Sequence, residues 1–154
     1  MPIKRIHRIP VEEDFIKPIG EAICICQRLD FALRYIGQKL KPSFYGSTLN
    51  LSSNQLKEKL EGLLRKSNIE ESLRLELQEL CKKAEAIFKQ RNKIVHSHSY
   101  TTPQGHQSRL YRRKEDPKYT YLSPEDIKTF TEQAANVARK ANELFHDPRM
   151  VEQC

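Results

Sequence analysis

Apolar residues that recur every three or four positions dominate four long segments of the chain. In the first segment, over about residues 11–40, this helical period falls on Ile16, Ile19, Ile23, Cys26, Leu33, Ile36 and Leu40. Pro18 predicts a kink or a fresh start inside this helix, and Lys41-Pro42 ends it. A long helix with one apolar face must bury that face against other helices, so the pattern predicts a helical bundle.

Capping residues mark where the next two helices begin. Ser52 with Gln55 has the spacing of a capping box and predicts a short helix through about residue 66. Asn68 with Glu71 repeats this spacing before the third long helix. The segment before them, residues 42–50, is interpreted as a loop. The apolar stripe of the third helix is Leu73, Leu77, Leu80, Ala84 and Ile87.

The last helix has the clearest start of all. Ser123 is a favourable N-cap, Pro124 suits the first helical position, and Glu125 and Asp126 place negative charge in the first turn. Its apolar stripe is Ile127, Phe130, Ala134, Val137, Ala141 and Leu144. Asp147-Pro148 then ends the helix.

A polar segment of residues 97–122 separates the third and last long helices. The stretches "RLYRR" and "KYTYL" flank "KEDP" and predict a short exposed hairpin. The fold class expected is therefore all-α, an up-and-down bundle of four to five helices with a basic loop or short β-hairpin inserted before the last helix. Residues 1–154 are expected to form this single domain.

The net charge of +7 is concentrated in one part of the chain. Residues 82–118 contain ten Lys or Arg against three Asp or Glu, and elsewhere the charges cancel. Tyr111, Tyr119 and Tyr121 alternate with the cations in this segment. Cations interleaved with aromatic residues are typical of surfaces that bind single-stranded RNA. A solvated basic face with tyrosines packed on the bundle is the alternative interpretation.

The chain shows no signal of export, membrane insertion or metal binding. No segment has the roughly 18 apolar residues of a membrane span, and no apolar run follows the basic N-terminal residues. The cysteines have no metal-ligand spacing; they are Cys24, Cys26, Cys81 and Cys154. We therefore expect a cytoplasmic protein with reduced thiols, no metal and no cofactor.

Arg91 interrupts the apolar stripe of the third long helix. The stripe reaches Ile87, and the next position on the same face is an arginine. A guanidinium in an apolar face is costly unless it is paired. Three structural interpretations remain open: Arg91 reaches solvent at the end of the bundle, pairs with Asp30 of the first helix, or lies in a subunit interface.

His96 follows Arg91 by five positions and faces another direction. On an ideal helix the two side chains are about 140° apart, whereas Asn92 and His96 share a face. They can act on one ligand only if the helix distorts or if two copies meet. A guanidinium binds phosphate and an imidazole carries protons near neutrality, which together suffice to cleave RNA through its own 2′-hydroxyl. An ordinary histidine at a helix end is the alternative for His96.

The run Arg91-Asn92-Lys93-Ile94-Val95-His96 resembles the signature of the HEPN superfamily, an arginine, a polar residue and a histidine at the end of the third main helix of a helical bundle. The resemblance implies a metal-independent endoribonuclease that acts as a homodimer with a composite active site. It implies that Arg91 binds phosphate, Asn92 orients Arg91 or His96, and His96 transfers protons. The implied products carry 2′,3′-cyclic phosphate and 5′-hydroxyl ends.

Further residues are candidates by position. His98, Tyr100 and Asp30 are auxiliary candidates for the site, with surface or structural roles as the alternative. The candidate RNA contacts are Lys89, Lys93, Arg109, Tyr111, Arg112, Arg113, Lys114 and Lys118. The resemblance also implies a role in toxin–antitoxin systems or antiviral defence, with a separate antitoxin or nucleotidyltransferase partner. A non-catalytic RNA-binding or regulatory module and a plain helical scaffold remain the alternatives.

Overall fold

Five helices and three short strands make up the computed structural model, which describes residues 13–101, 103–105, 107–112 and 119–150. In chain order they are α1 (Glu13–Leu40), α2 (Phe44–Thr48), α3 (Ser53–Lys66), α4 (Glu71–Val95), β1 (His98–Thr101), β2 (Gln107–Arg112), β3 (Tyr119–Leu122) and α5 (Pro124–Phe145). The expected all-α bundle with a β insertion before the last helix is confirmed. No helix within these residues is long and apolar enough to cross a membrane.

The directions of the helices follow from the contacts between them. Lys57 of α3 pairs with Glu85 of α4 near the middle of both helices, while Arg74 of α4 donates to the Leu64 carbonyl near the end of α3. These two helices are therefore antiparallel. Lys140 of α5 pairs with Glu76 of α4, which makes α5 antiparallel to α4 as well. Helices α1 and α5 run parallel, since Ile25 and Ala135 line one hollow and Lys39, near the end of α1, donates to the Phe145 carbonyl at the end of α5. They form the most extensive helix–helix contact among the described residues.

The first half of α1 buries a different stripe from the one predicted. Ile16 and Ile23 are exposed, at 52% and 37% of their surface. The buried stripe steps by three and four residues as Phe15, Pro18, Ala22, Cys26, Leu29, Leu33, Ile36 and Leu40. The sequence offers two adjacent apolar stripes that meet at Cys26, and the aromatic ring of Phe15 adds more buried area on the chosen one. Ile16 and Ile23 remain as apolar side chains at the surface.

Two of the three predicted capping devices are present. Ser52 with Gln55 and Ser123 with Asp126 both form complete capping boxes. The prediction at Asn68 is wrong, because α4 begins at Glu71 with Glu70 as its N-cap and no side-chain cap. Residues 42–50 are also not simply a loop, since they contain α2. This short helix brings the chain back along α1, so that α3 begins beside Asp30.

A three-stranded antiparallel sheet carries the insertion. The predicted hairpin is confirmed as β2 and β3, in which Arg109 lies opposite Leu122 and Tyr111 opposite Thr120. The strand β1, which pairs with β2, was not predicted, because "HSYT" follows the helix directly and is too short to show a period of two. Gly105, with φ of 82°, permits the turn between β1 and β2.

Arg149 attaches the segment after α5 to α4. Its guanidinium donates to Glu76 Oε1 at 2.7 Å, to Ser72 Oγ at 2.8 Å and to both carboxylate oxygens of Asp147 at 2.8 and 2.9 Å. These hydrogen bonds hold the pKa of Asp147 at about 2, below its ordinary value of 3.8. Hydrogen bonds from Arg149 and then Lys140 also lower the pKa of Glu76.

Acid should weaken the hydrogen bonds that Arg149 makes with Asp147 and Glu76. A carboxylate with a lowered folded pKa stabilises the fold fully above its unfolded pKa and loses that contribution as the pH falls through the folded value. Unfolding midpoints in urea should therefore fall between about pH 4.5 and pH 2. Arg149→Ala should flatten part of this dependence, and Arg65→Ala, which alters an exposed arginine on α3, should not. An identical pH profile in Arg149→Ala would contradict the assignment.

A second prediction concerns two glycines of α1. A Cβ on Gly37 would overlap the ring of Phe44, which is buried, so α2 packs on α1 only because that Cβ is missing. Gly37→Ala should destabilise the protein by about 1–3 kcal/mol through overpacking. Gly20→Ala is the matched control, since no described residue lies within 4 Å of its Cβ position. That change should instead stabilise by about 0.5–1 kcal/mol through helix propensity, and thermal or urea unfolding of both variants measures the difference.

Candidate functional site

The Arg91–His96 motif occupies the last turn of α4 and the residue after it. Arg91 and Asn92 lie within the helix, and His96 is the C-cap immediately after Val95. The buried core does not stop at Ile87, since Phe88 and Ile94 are also buried, about 60° to either side of Arg91 around the helix. Arg91 therefore sits at the edge of the core, half-buried, where α4 faces α1 and the start of α3.

The guanidinium of Arg91 is held on two sides. Its Nε and Nη2 donate to Asn92 Oδ1 at 3.3 and 3.0 Å, and its Nη1 donates to Ser53 Oγ at 3.2 Å. Its central carbon lies 5.3 Å from the centroid of the Phe88 ring, a cation–π contact. A guanidinium has five N–H donors, so one on each of Nη1 and Nη2 is left for a ligand. The fork is fixed in place before any ligand arrives.

Asp30 reaches Arg91 through Ser53 and not directly. Ser53 Oγ donates to Asp30 Oδ1 at 2.9 Å and accepts from Arg91. Because the serine hydroxyl has one proton, which goes to Asp30, only its lone pairs face Arg91. The direct Asp30–Arg91 ion pair that the sequence allowed is therefore not formed. The ion partner of Asp30 is Arg34, at 2.8 Å.

Arg34 is a buried arginine that ties this network to α2. It exposes only 5% of its surface, and it donates both to Asp30 and to the carbonyl of Thr48. A guanidinium removed from water must have such partners, because an unpaired buried charge is strongly destabilising. Sequence reasoning did not identify Arg34 or Ser53. The spacing of Asp30 and Arg34, four apart on a helix, was the available signal for their pair.

Cys26 lies beside the same network and is not a nucleophile. Burial raises the pKa of its thiol to about 11, and the nearby Arg91 charge offsets that rise only in part. The thiol therefore stays protonated at neutral pH. No cluster of His, Cys, Asp or Glu in the described parts of the chain is arranged to hold a metal ion.

His96 is exposed, and its backbone is well fixed. Its N–H donates to the carbonyl of Asn92 at 3.0 Å, while its side chain makes no hydrogen bond to any described residue. The helix retains its regular hydrogen bonding up to this point, so the distortion that could turn His96 toward Arg91 on the same chain is not present. The separation of about 140° between Arg91 and His96 that an ideal helix predicts therefore applies here.

Arg109 has an internal role that differs from the one predicted. It donates to Ser97 Oγ and to the Ser97 carbonyl, both at 2.7 Å, and to Ser99 Oγ at 3.3 Å. Its guanidinium also lies 6.0 Å from the ring of Phe15 on α1. Arg109 thus attaches the sheet to the end of α4 and fixes the segment between His96 and His98. A single arginine in a basic stretch gave no signal of this role.

The remaining candidates are less closely joined to the motif. His98 is exposed at the start of β1, Lys89 pairs with Glu85 at 2.7 Å, and Lys93 and Tyr111 are half-buried. The side chains of Tyr100 and Arg112, together with Arg113, Lys114 and Lys118, lie outside the part of the chain that the structure describes. Most of the predicted basic surface therefore stays a prediction.

The Asp30 network yields a third prediction. Asp30→Ala should destabilise the protein by about 2–3 kcal/mol, because it leaves the buried Arg34 with one neutral partner. Adding Arg34→Met should recover part of that loss, since the uncompensated charge is then removed. Glu58→Ala, which removes an exposed carboxylate of α3, should change little. Equal effects of Asp30→Ala and Glu58→Ala in urea unfolding would contradict the network.

Comparisons of the chain with models of protein families, with curated proteins and with solved structures return no match. The resemblance to the HEPN superfamily accordingly rests on residues 91–96 and on the order of the helices.

Proposed function

We propose that this protein is a metal-independent endoribonuclease whose site is built on Arg91, Asn92 and His96. The observation that carries the proposal is the fixed guanidinium of Arg91, with two N–H donors uncommitted at the protein surface. Adjacent donors of this kind match two oxygens of a phosphodiester. Since Asn92, Ser53 and Phe88 already hold the side chain, little conformational entropy is lost when the phosphate binds.

His96 supplies the proton transfer in this proposal. Its imidazole accepts the proton of a ribose 2′-hydroxyl, whose oxygen attacks the adjacent phosphorus. The bond from phosphorus to the 5′-oxygen breaks, and that oxygen takes up a proton. The products are a 2′,3′-cyclic phosphate and a 5′-hydroxyl. Arg91 stabilises the negative charge that builds up on the non-bridging oxygens during this step.

A second copy of the chain completes the site. Arg91 and His96 face directions about 140° apart on α4, so His96 of one protomer is proposed to act with Arg91 of the other. Exposed apolar side chains near the motif support such a contact: Val95 precedes His96, and Ile23 lies one turn from Cys26, the neighbour of Arg91. Exposed apolar surface of this kind is typical of an interface. Two copies also supply two imidazoles, one to accept a proton and one to donate.

The biological setting belongs to the same proposal. The basic segment around 109–118 is proposed to contact RNA beyond the cleaved bond. The role is that of a cytoplasmic toxin or antiviral effector, controlled by a separate antitoxin or nucleotidyltransferase partner.

RNA cleavage in the presence of EDTA tests this function. Wild-type protein should cleave single-stranded RNA, and His96→Ala should lower the rate by about 10²–10⁴-fold, the usual contribution of general acid–base catalysis. Arg91→Ala should lose activity as well, and Asn92→Ala should retain part of it. End-group analysis of the products should find cyclic phosphate and 5′-hydroxyl.

Two matched controls separate catalysis from loss of charge or of a helix cap. His146 is an exposed histidine that caps α5 with almost the same backbone geometry as His96 on α4, so His146→Ala should leave cleavage unchanged. Arg65→Ala removes one exposed positive charge from α3 and should weaken cleavage only slightly. Salt-dependent RNA binding without cleavage would instead favour the non-catalytic RNA-binding module. A protein that does not bind RNA and does not cleave it would instead favour the plain helical scaffold.

A further inference from the structure

A groove runs along the surface between α1 and α5. Two adjoining hollows of about 490 and 400 Å³ form it, and both are lined by Arg28, Ala32 and Asn142. Arg28 and Asp30 are two positions apart on α1, so their side chains leave the helix about 160° apart. The groove therefore lies on the opposite side of α1 from the Arg91 network, and neither the motif nor the proposed reaction uses it.

The lining of the groove has the composition of a protein–protein contact. Phe31 and Tyr35 expose 46% and 47% of their surface there, and Tyr35 is held against Tyr45 with ring centroids 5.2 Å apart. Small side chains, Ala135 and Ala138, leave room for another chain to approach. Among the described residues that line the groove there is no Lys, Asp or Glu. Interface centres are enriched in aromatic residues and arginine and depleted in those three types.

Charged residues on this face lack strong partners within the chain. Arg28 and Glu132 form no hydrogen bond or ion pair with any described residue. Arg139 contacts only the side chain of Asn136 on its own helix. The ion pair of Glu21 with Lys17 is long, at 3.9 Å, and both side chains are more than half exposed to water. Two arginines and two carboxylates are thus available to an external partner.

The spacing of these four charges is self-complementary. Glu21 precedes Arg28 by seven positions on α1, and Glu132 precedes Arg139 by seven positions on α5. Seven residues are close to two turns, so each pair shares a face. Helices α1 and α5 run parallel, and Ile25 and Ala135 line the same hollow, so the midpoints of both pairs lie at one level of the bundle.

We propose that this face binds the same face of a second copy of the chain. A two-fold axis that lies in the interface and crosses both helices at this level makes α1 antiparallel to the partner's α1, and α5 antiparallel to the partner's α5. Glu21 then meets the partner's Arg28, and Glu132 meets the partner's Arg139, each pair occurring twice by symmetry. Ala135 and Ala138 lie close to this axis and let the helices approach each other. Phe31 and Tyr35 lie about 10 and 16 Å from the axis along α1 and form the apolar ends of the contact.

Cys24 provides a direct test, because it lies next to the midpoint between Glu21 and Arg28, where the proposed axis brings two copies of α1 together. It is exposed, whereas Cys26 and Cys81 are buried. In full-length Cys154→Ser protein, a short bismaleimide cross-linker should join two chains through their Cys24 thiols. The double variant Cys24→Ser/Cys154→Ser should give no cross-linked dimer. A cross-linked fraction that is the same in both variants, or absent from both, overturns the proposal.

Charge exchange tests the pairing itself by sedimentation equilibrium. Arg28→Glu should raise the dissociation constant of this dimer roughly tenfold or more, because two symmetry-related attractions become repulsions. Glu21→Arg should do the same, and Glu21→Arg/Arg28→Glu should restore association. Circular dichroism of each variant shows whether the helices are retained. Restored association supports the contact, and a double variant as weak as either single one overturns it.

This inference stands apart from the ribonuclease proposal. A dimer that forms only through the motif side would leave Cys24 uncross-linked and would be insensitive to Arg28→Glu, and both results count against the groove contact. Protein that cross-links through Cys24 but leaves RNA intact supports the groove contact and counts against the nuclease.

Discussion

The arrangement of α1, α2 and the start of α3 depends on the buried guanidinium of Arg34. It must be paired, because a charge removed from water without partners costs several kcal/mol. Its two partners, the Thr48 carbonyl and Asp30, belong to the end of α2 and the middle of α1. Meeting that requirement brings the chain back along α1 and places the first turn of α3 beside Asp30. This arrangement positions Ser53, whose hydroxyl in turn accepts a hydrogen bond from Arg91.

The regular end of α4 is the reason why the proposed site is divided between two chains. Hydrogen bonding remains regular to His96, so the phase between Arg91 and His96 is that of an undistorted helix. Arg109 then holds Ser97 and prevents the exit segment from turning back toward Arg91. The guanidinium of Arg91 and the backbone of His96 are each held by hydrogen bonds, and the two side chains leave the helix in different directions. In the proposed reaction, convergence on one phosphate therefore requires a second molecule.

The sequence was informative where a signal was local. The capping box at Ser52, the N-cap at Ser123, the stripes of α4 and α5 and the β2–β3 hairpin were all predicted, because each is decided within a few residues. The buried face of the first half of α1 was not predicted. Two apolar stripes are present before Cys26, and tertiary packing decides which of them is buried. Ser53 and Arg34 were missed as parts of the site, and the internal role of Arg109 was not predicted. Most of the contacts that define these roles join residues 12 to 38 positions apart, and single polar residues carry no period. Only the pairing of Arg34 with Asp30, four positions away, offered a local signal.

The two faces of α1 impose a condition on any assembly that uses both. A contact between identical faces closes on itself, so either face alone yields a dimer and nothing larger. The motif and the groove lie on nearly opposite sides of α1, so one neighbouring chain cannot contact both. A molecule that used both faces would have two different neighbours. The assembly would then close as a tetramer if the two axes met at right angles, and it would extend as a filament if they did not.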